Sequence, residues 1–131
     1  MLRKFFSAIL LITAAVIGLG AFGHASAIRQ VHNALGPFPI DPHFAAVIDV
    51  VWYFVSGCML AFAIAIVCSW FRYRAGNPGS LFVADLIGVL YVLTGIGAPL
   101  HVHGDHFFFL FLGLGAALLI SAAVPRKNPT T

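Results

Sequence analysis

Three histidines and a carboxylate fall within six positions at His101-Val102-His103-Gly104-Asp105-His106, the densest cluster of donor side chains in the chain. Neutral imidazole is the commonest transition-metal ligand, and a carboxylate beside it adds an oxygen donor. With no Cys or Met close by, such a set suits Cu(II) or Zn(II) better than Cu(I). The primary donors are expected to be His101, His103 and His106, with Asp105. His24 and His43 are expected to complete the site, and His32 and Asp41 are further donors from the same earlier stretch.

The hexapeptide resembles the H-x-H-x-D-H signature of the metallo-β-lactamase-type hydrolases. That family is a soluble αββα sandwich larger than this chain, and its remaining metal ligands arrive far downstream. Beyond His106 there is no further His, Asp, Glu or Cys. The likeness therefore stops at six residues. No nucleophile–base constellation and no phosphate-binding loop is present either, so the chain is not expected to be an enzyme.

The elements that must position these donors are membrane helices. The chain of 131 residues is 61% hydrophobic and only 8% charged, with a mean hydropathy of +1.01, whereas soluble domains carry about a quarter charged residues. A bilayer core of about 30 Å needs about 20 apolar residues per helix. Four runs meet that length, near 5–23, 44–71, 81–100 and 107–124. The expected fold is therefore all-α: a polytopic, four-transmembrane-helix bundle forming one integral membrane domain over 1–131.

Cations set the expected topology, because Lys and Arg near helix ends stay on the cytoplasmic side. Arg3 and Lys4 precede the first run, Arg72 and Arg74 lie between the second and third, and Arg126 and Lys127 follow the fourth, leaving Arg29 alone on the other side. Both termini are expected in the cytoplasm and the chain in the inner membrane. The net charge of +3 is then a topology signal with weak attraction to anionic lipid, not a nucleic-acid footprint. Ala25-Ser26-Ala27 matches a signal-peptidase pattern, but 5–23 is a full span and longer than a secretory apolar region, which favours a retained helix over cleavage of residues 1–27. Cys58 and Cys68 lie in one helix, about 15 Å apart at 1.5 Å per residue, too far for a disulfide.

This topology puts outer loops at 24–43 and 101–106, and all six histidines at the outer face. Residues 26–35 are expected to form a short interfacial helix with Ile28, Val31 and Leu35 on its apolar side. The prolines of 37–42 cannot sustain a helix. A repeat adds to the pattern: Gly18-Leu-Gly20-Ala-Phe-Gly-His24 and Gly95-Ile-Gly97-Ala-Pro-Leu-His101 are both G-x-G-A-x-x-H, and the next helices open with His43-Phe44 and His106-Phe107. This reads as two duplicated helical hairpins, or as chance in a Gly- and Ala-rich chain. Gly113, Ala117 and Ser121 on the fourth helix and Gly88 and Gly95 on the third are expected packing positions.

Binding a transition metal, for handling or sensing, is the leading functional expectation, and three alternatives stay open beside it. One is a non-catalytic accessory subunit of a larger membrane complex. Another is a small dimeric transporter using Asp49, since an ionisable group inside a span is costly and so points to function; Asp49 would otherwise orient a histidine. The third is a b-type haem held by His24 and His101. Asp85, near the start of the third run, is expected to pair with Arg72 or Arg74 or with its helix N-terminus.

Overall fold

The computed structural model describes residues 2–101 and 106–123, and among these the chain is all-α. Helices α1 (Leu2–Ser26), α2 (Ile28–Leu35), α3 (Pro42–Arg74), α4 (Phe82–His101) and α5 (Phe109–Ala123) follow in order, with 3-10 turns at Pro78–Leu81 and His106–Phe108. Four segments are long and apolar enough to cross a membrane: Leu2–Leu35, Pro42–Arg74, Gly79–His101 and His106–Ala123. The protein is thus a multi-pass membrane protein whose helices are consistent with the expected four-helix bundle. Large exposed side chains such as Phe22, Phe54, Leu93 and Leu100 are what helices facing lipid require, because the bilayer solvates them and only backbone polar groups must be paired internally.

The chain divides into two compact units, Ala15–Ile64 and the remainder. In Ala15–Ile64, α1 does not stop at His24. Ala27 N–H bonds to the carbonyls of both Gly23 and His24, at 3.1 Å each, and α2 begins at the next residue. Apart from the turn at Ala27 the chain is helical to Leu35, and 36–41 is the rest of the expected 24–43 loop that is non-helical. The expected amphipathic stripe is present on α2, where Ile28 is buried, Val31 and Leu35 are half-buried and the rest is exposed. Asp41 then starts α3: its Oδ1 accepts the His43 N–H at 2.7 Å. Asp at the cap followed by Pro42 in the first turn is a favoured helix start, since the proline lacks an N–H that would be unpaired there anyway.

Within the other unit, α3 ends in a Schellman turn. Gly76 has φ +94, its N–H bonds to the Tyr73 carbonyl at 3.0 Å, and Asn77 N–H bonds to the Arg72 carbonyl at 3.1 Å. Glycine takes this left-handed conformation without a Cβ penalty. Asn77 precedes a proline and is extended, which stops any continuation of the helix.

The α4–α5 hairpin is the tightest contact described. On α4 the buried stripe is Ala84, Ile87, Gly88, Tyr91 and Gly95, and on α5 it is Gly115, Leu118, Ser121 and Ala122. A Cβ on Gly95 would lie 2.8 Å from Leu112 Cα, and one on Gly115 would lie 2.7 Å from the Gly88 carbonyl oxygen, so the backbones themselves touch. This corrects one expectation. Gly88, Gly95 and Ser121 do pack, but Gly113 meets nothing within 4 Å; the register set by Gly88 and Gly95 brings Gly115 to the contact instead.

Candidate functional site

Asp49, Trp52 and Ser56 follow one another on α3 at helical spacing and so share one face. Each meets a histidine from the preceding helical segment. His24, in the last turn of α1, stacks on the Trp52 ring with centroids 4.2 Å apart and planes 13° from parallel. The Trp52 indole N–H donates to the His24 carbonyl at 2.6 Å. Ser56 Oγ donates to the Trp52 carbonyl at 3.0 Å and lies 2.9 Å from His24 Nδ1. A hydroxyl has one proton. With that proton on the Trp52 carbonyl, Nδ1–H donates to Ser56, and a neutral His24 keeps its Nε2 lone pair unused in this network.

Two turns and more beyond His24, on α2, His32 Nε2 sits 2.7 Å from Asp49 Oδ1. An ionised carboxylate only accepts, so Nε2 carries the proton and donates. Both side chains keep substantial exposure, 50% for His32 and 39% for Asp49. Pairs this open contribute at most about 1 kcal/mol, so fold stability alone is a weak reason for the pair.

The pair stands in the wall of a cavity of about 350 Å³ whose other lining is mostly apolar: Leu35, Phe38, Ile40, Ala45 and Ile48, with Gly36. Turn bonds hold its rim, Gly36 N–H to the His32 carbonyl at 2.8 Å and Phe38 N–H to the Leu35 carbonyl at 2.9 Å. Pockets for small molecules have this make-up, apolar walls with a few placed polar groups. Two acceptors are left over for an occupant, the second Asp49 oxygen and, in the neutral ring, His32 Nδ1. Among the described residues, no Lys or Arg lines the cavity.

The other expected donors are spread out. His43 is exposed and packs edge-on to Phe44 at 6.2 Å. Asp41 is occupied with capping α3. His101 ends α4, and His106 opens the following 3-10 turn with its ring stacked on Phe109 at 5.9 Å. His103 and Asp105 lie outside the described residues. Among the described residues no three His, Cys, Asp or Glu side chains gather as a metal centre requires. Cys58 and Cys68 are free thiols. Trp52 and Ser56, which brace His24, were not singled out by sequence reasoning; their i, i+4 spacing, three residues after Asp49, is the signal that marks them. Compared with known protein families, curated proteins and solved structures, the chain matches none.

Proposed function

We propose that this is a non-catalytic inner-membrane protein, with both termini in the cytoplasm, that binds a small lipophilic amine in the cavity beneath the 36–41 loop. The observation that carries the reading is the His32–Asp49 pair in an apolar wall. An ammonium group donates to the free Asp49 oxygen and to His32 Nδ1, while its hydrocarbon body takes the place of water against Phe38, Ile40 and Ile48. With Asp49 ionised, the pair carries a charge of −1 beside a neutral imidazole and zero beside an imidazolium, so carboxylate ligands are disfavoured. Transport is the natural use of such a site in a multi-pass chain, with Asp49 as its essential acid.

The test is equilibrium dialysis of labelled phenylethylamine against the full chain in nanodiscs, with phenylpropionate as the anionic control. Binding of the amine and not the acid is expected. Asp49→Asn keeps the shape and removes the charge, and a hydrogen bond to a charged group contributes about 1.5–3 kcal/mol, so affinity should fall at least about tenfold. Equal binding by Asp49→Asn, or equal binding of the acid, overturns the proposal.

A transition metal is the second reading, favoured by the bracing of His24. A metal-ligating histidine has its other ring nitrogen fixed by a hydrogen bond, and Ser56 and Trp52 supply that bracing here. Elemental mass spectrometry of the purified protein, beside a variant with His24, His101, His103 and His106 changed to Ala, tests it. About one Cu or Zn per chain that is lost in the variant supports the reading; equal content in both sinks it.

A further inference from the structure

The connection between α3 and α4 forms a second cavity, of about 340 Å³, lined by Ser69, Arg72, Asn77, Ser80, Phe82 and Val83 among others. Its polar side is built rather than incidental. The Schellman turn anchors Asn77 to the Arg72 carbonyl, and Ser80 Oγ lies within bonding distance of the carbonyls of both Ser69, at 2.9 Å, and Asn77, at 2.7 Å. These bonds tie the end of α3 to the start of the next helical segment. The two arginines at this end of α3 have different surroundings. The Arg74 guanidinium lies over the Trp70 ring at 5.3 Å. Arg72 lines the cavity and, among the described residues, has no ion-pair partner. Among the described residues, no acidic side chain lines the cavity. Its far side is hydrocarbon, since Phe82 is 63% and Val83 39% exposed.

A lone guanidinium beside an amide and a hydroxyl recognises a phosphate, because its planar fork donates to two oxygens at once. Exposed apolar side chains next to it suit an acyl chain. We propose that this cavity binds the phosphate of an anionic phospholipid, with Arg72 as the principal donor, Asn77 as a second donor, and the lipid chain laid over Phe82 and Val83. The cation distribution assigns this connection to the cytoplasmic leaflet, where anionic lipid is concentrated. The site shares no lining residue with the amine cavity, so either proposal stands or falls alone.

Native mass spectrometry of the full chain in detergent, titrated with phosphatidylglycerol, phosphatidylcholine or inorganic phosphate, tests it. Phosphatidylglycerol should be retained at one per chain more tightly than phosphatidylcholine. Arg72→Ala should weaken it about tenfold, the scale of one charge-assisted hydrogen bond, Arg72→Lys should weaken it less, and Arg74→Ala should leave it within about twofold. Circular dichroism checks that each variant keeps its helices. Equal retention by wild type and Arg72→Ala, or equal losses from Arg72→Ala and Arg74→Ala, overturns the proposal. Saturation by inorganic phosphate without retention of phosphatidylglycerol overturns the lipid as the source of the phosphate.

Discussion

Glycine brings helices together in both units, but to different distances. Where α1 meets α3, a Cβ on Gly18 would lie 3.3 Å from the Ala63 Cβ, and one on Gly20 would lie 3.2 Å from the Met59 methyl; side chains still separate the two helices. Between α4 and α5 the neighbours of Gly95 and Gly115 are backbone atoms. The difference decides what else fits. Helices in backbone contact leave little volume for polar side chains, and the buried α4–α5 stripe is Gly, Ala, Ile and Leu with only one Tyr and one Ser among the described residues. Helices held apart by side chains leave room for the His24, Trp52 and Ser56 network and, beyond it, the His32–Asp49 cavity. Close packing and chemistry are therefore in different hairpins.

The difference between the two hairpins has its largest expected effect at Gly95. Gly95→Val adds a branched side chain where even a Cβ overlaps the Leu112 backbone, which no rotamer change relieves. Overpacking costs about 1–3 kcal/mol and occasionally more, and backbone neighbours put this site at the upper end. Thermal unfolding followed by circular dichroism in detergent should show a large drop in midpoint, against a smaller one for Gly18→Val, whose nearest neighbour is a side chain. Similar drops in the two variants would mean that the helices approach equally closely in both places.

Much of this architecture is legible in the sequence because its physics is local. The four spans follow from run length, and the stripe of Ile28, Val31 and Leu35 from helical period. Asp49 was expected either to orient a histidine or to carry a proton; that its partner is His32 and not His24 depends on α1 continuing almost unbroken into α2, which a polar stretch after an apolar run does not reveal. Asp41 read as a metal donor although Asp41-Pro42 is also a helix-start signal, and the structure uses it as one. Gly113 and Gly115 are equally small, and only the register of the facing helix separates them. The resemblance between the two G-x-G-A-x-x-H stretches holds for the histidines, since His24 and His101 both fall in the last turn of their helices. It does not extend to the packing of the glycines.

A smaller effect is expected in the polar network around His24. Trp52→Phe retains an aromatic ring for His24 to stack on and removes only the indole donor to the His24 carbonyl. A single net hydrogen bond is worth about 1 kcal/mol, so the unfolding midpoint should fall by a few degrees, while Trp52→Ala should lose the stacked ring as well and fall further. If Phe and Ala are equivalent at position 52, the ring contact contributes nothing and His24 is held by Ser56 alone.

The smallest effect has the opposite sign and is the most discriminating. Gly97 is two residues from Gly95 on α4, yet a Cβ there meets nothing within 4 Å. Alanine at such a site fits the helix without strain and narrows the unfolded ensemble, which stabilises by about 0.4–1 kcal/mol. Gly97→Ala should therefore raise the unfolding midpoint slightly, and Gly95→Ala should lower it. The two substitutions are chemically identical and sit in the same helix, so helix propensity largely cancels between them, while burial differs: Gly95 is buried and Gly97 exposed. What remains is the distance to α5. A fall in both midpoints would place Gly97 against a neighbour too, and α4 would then have two close-packed faces instead of one.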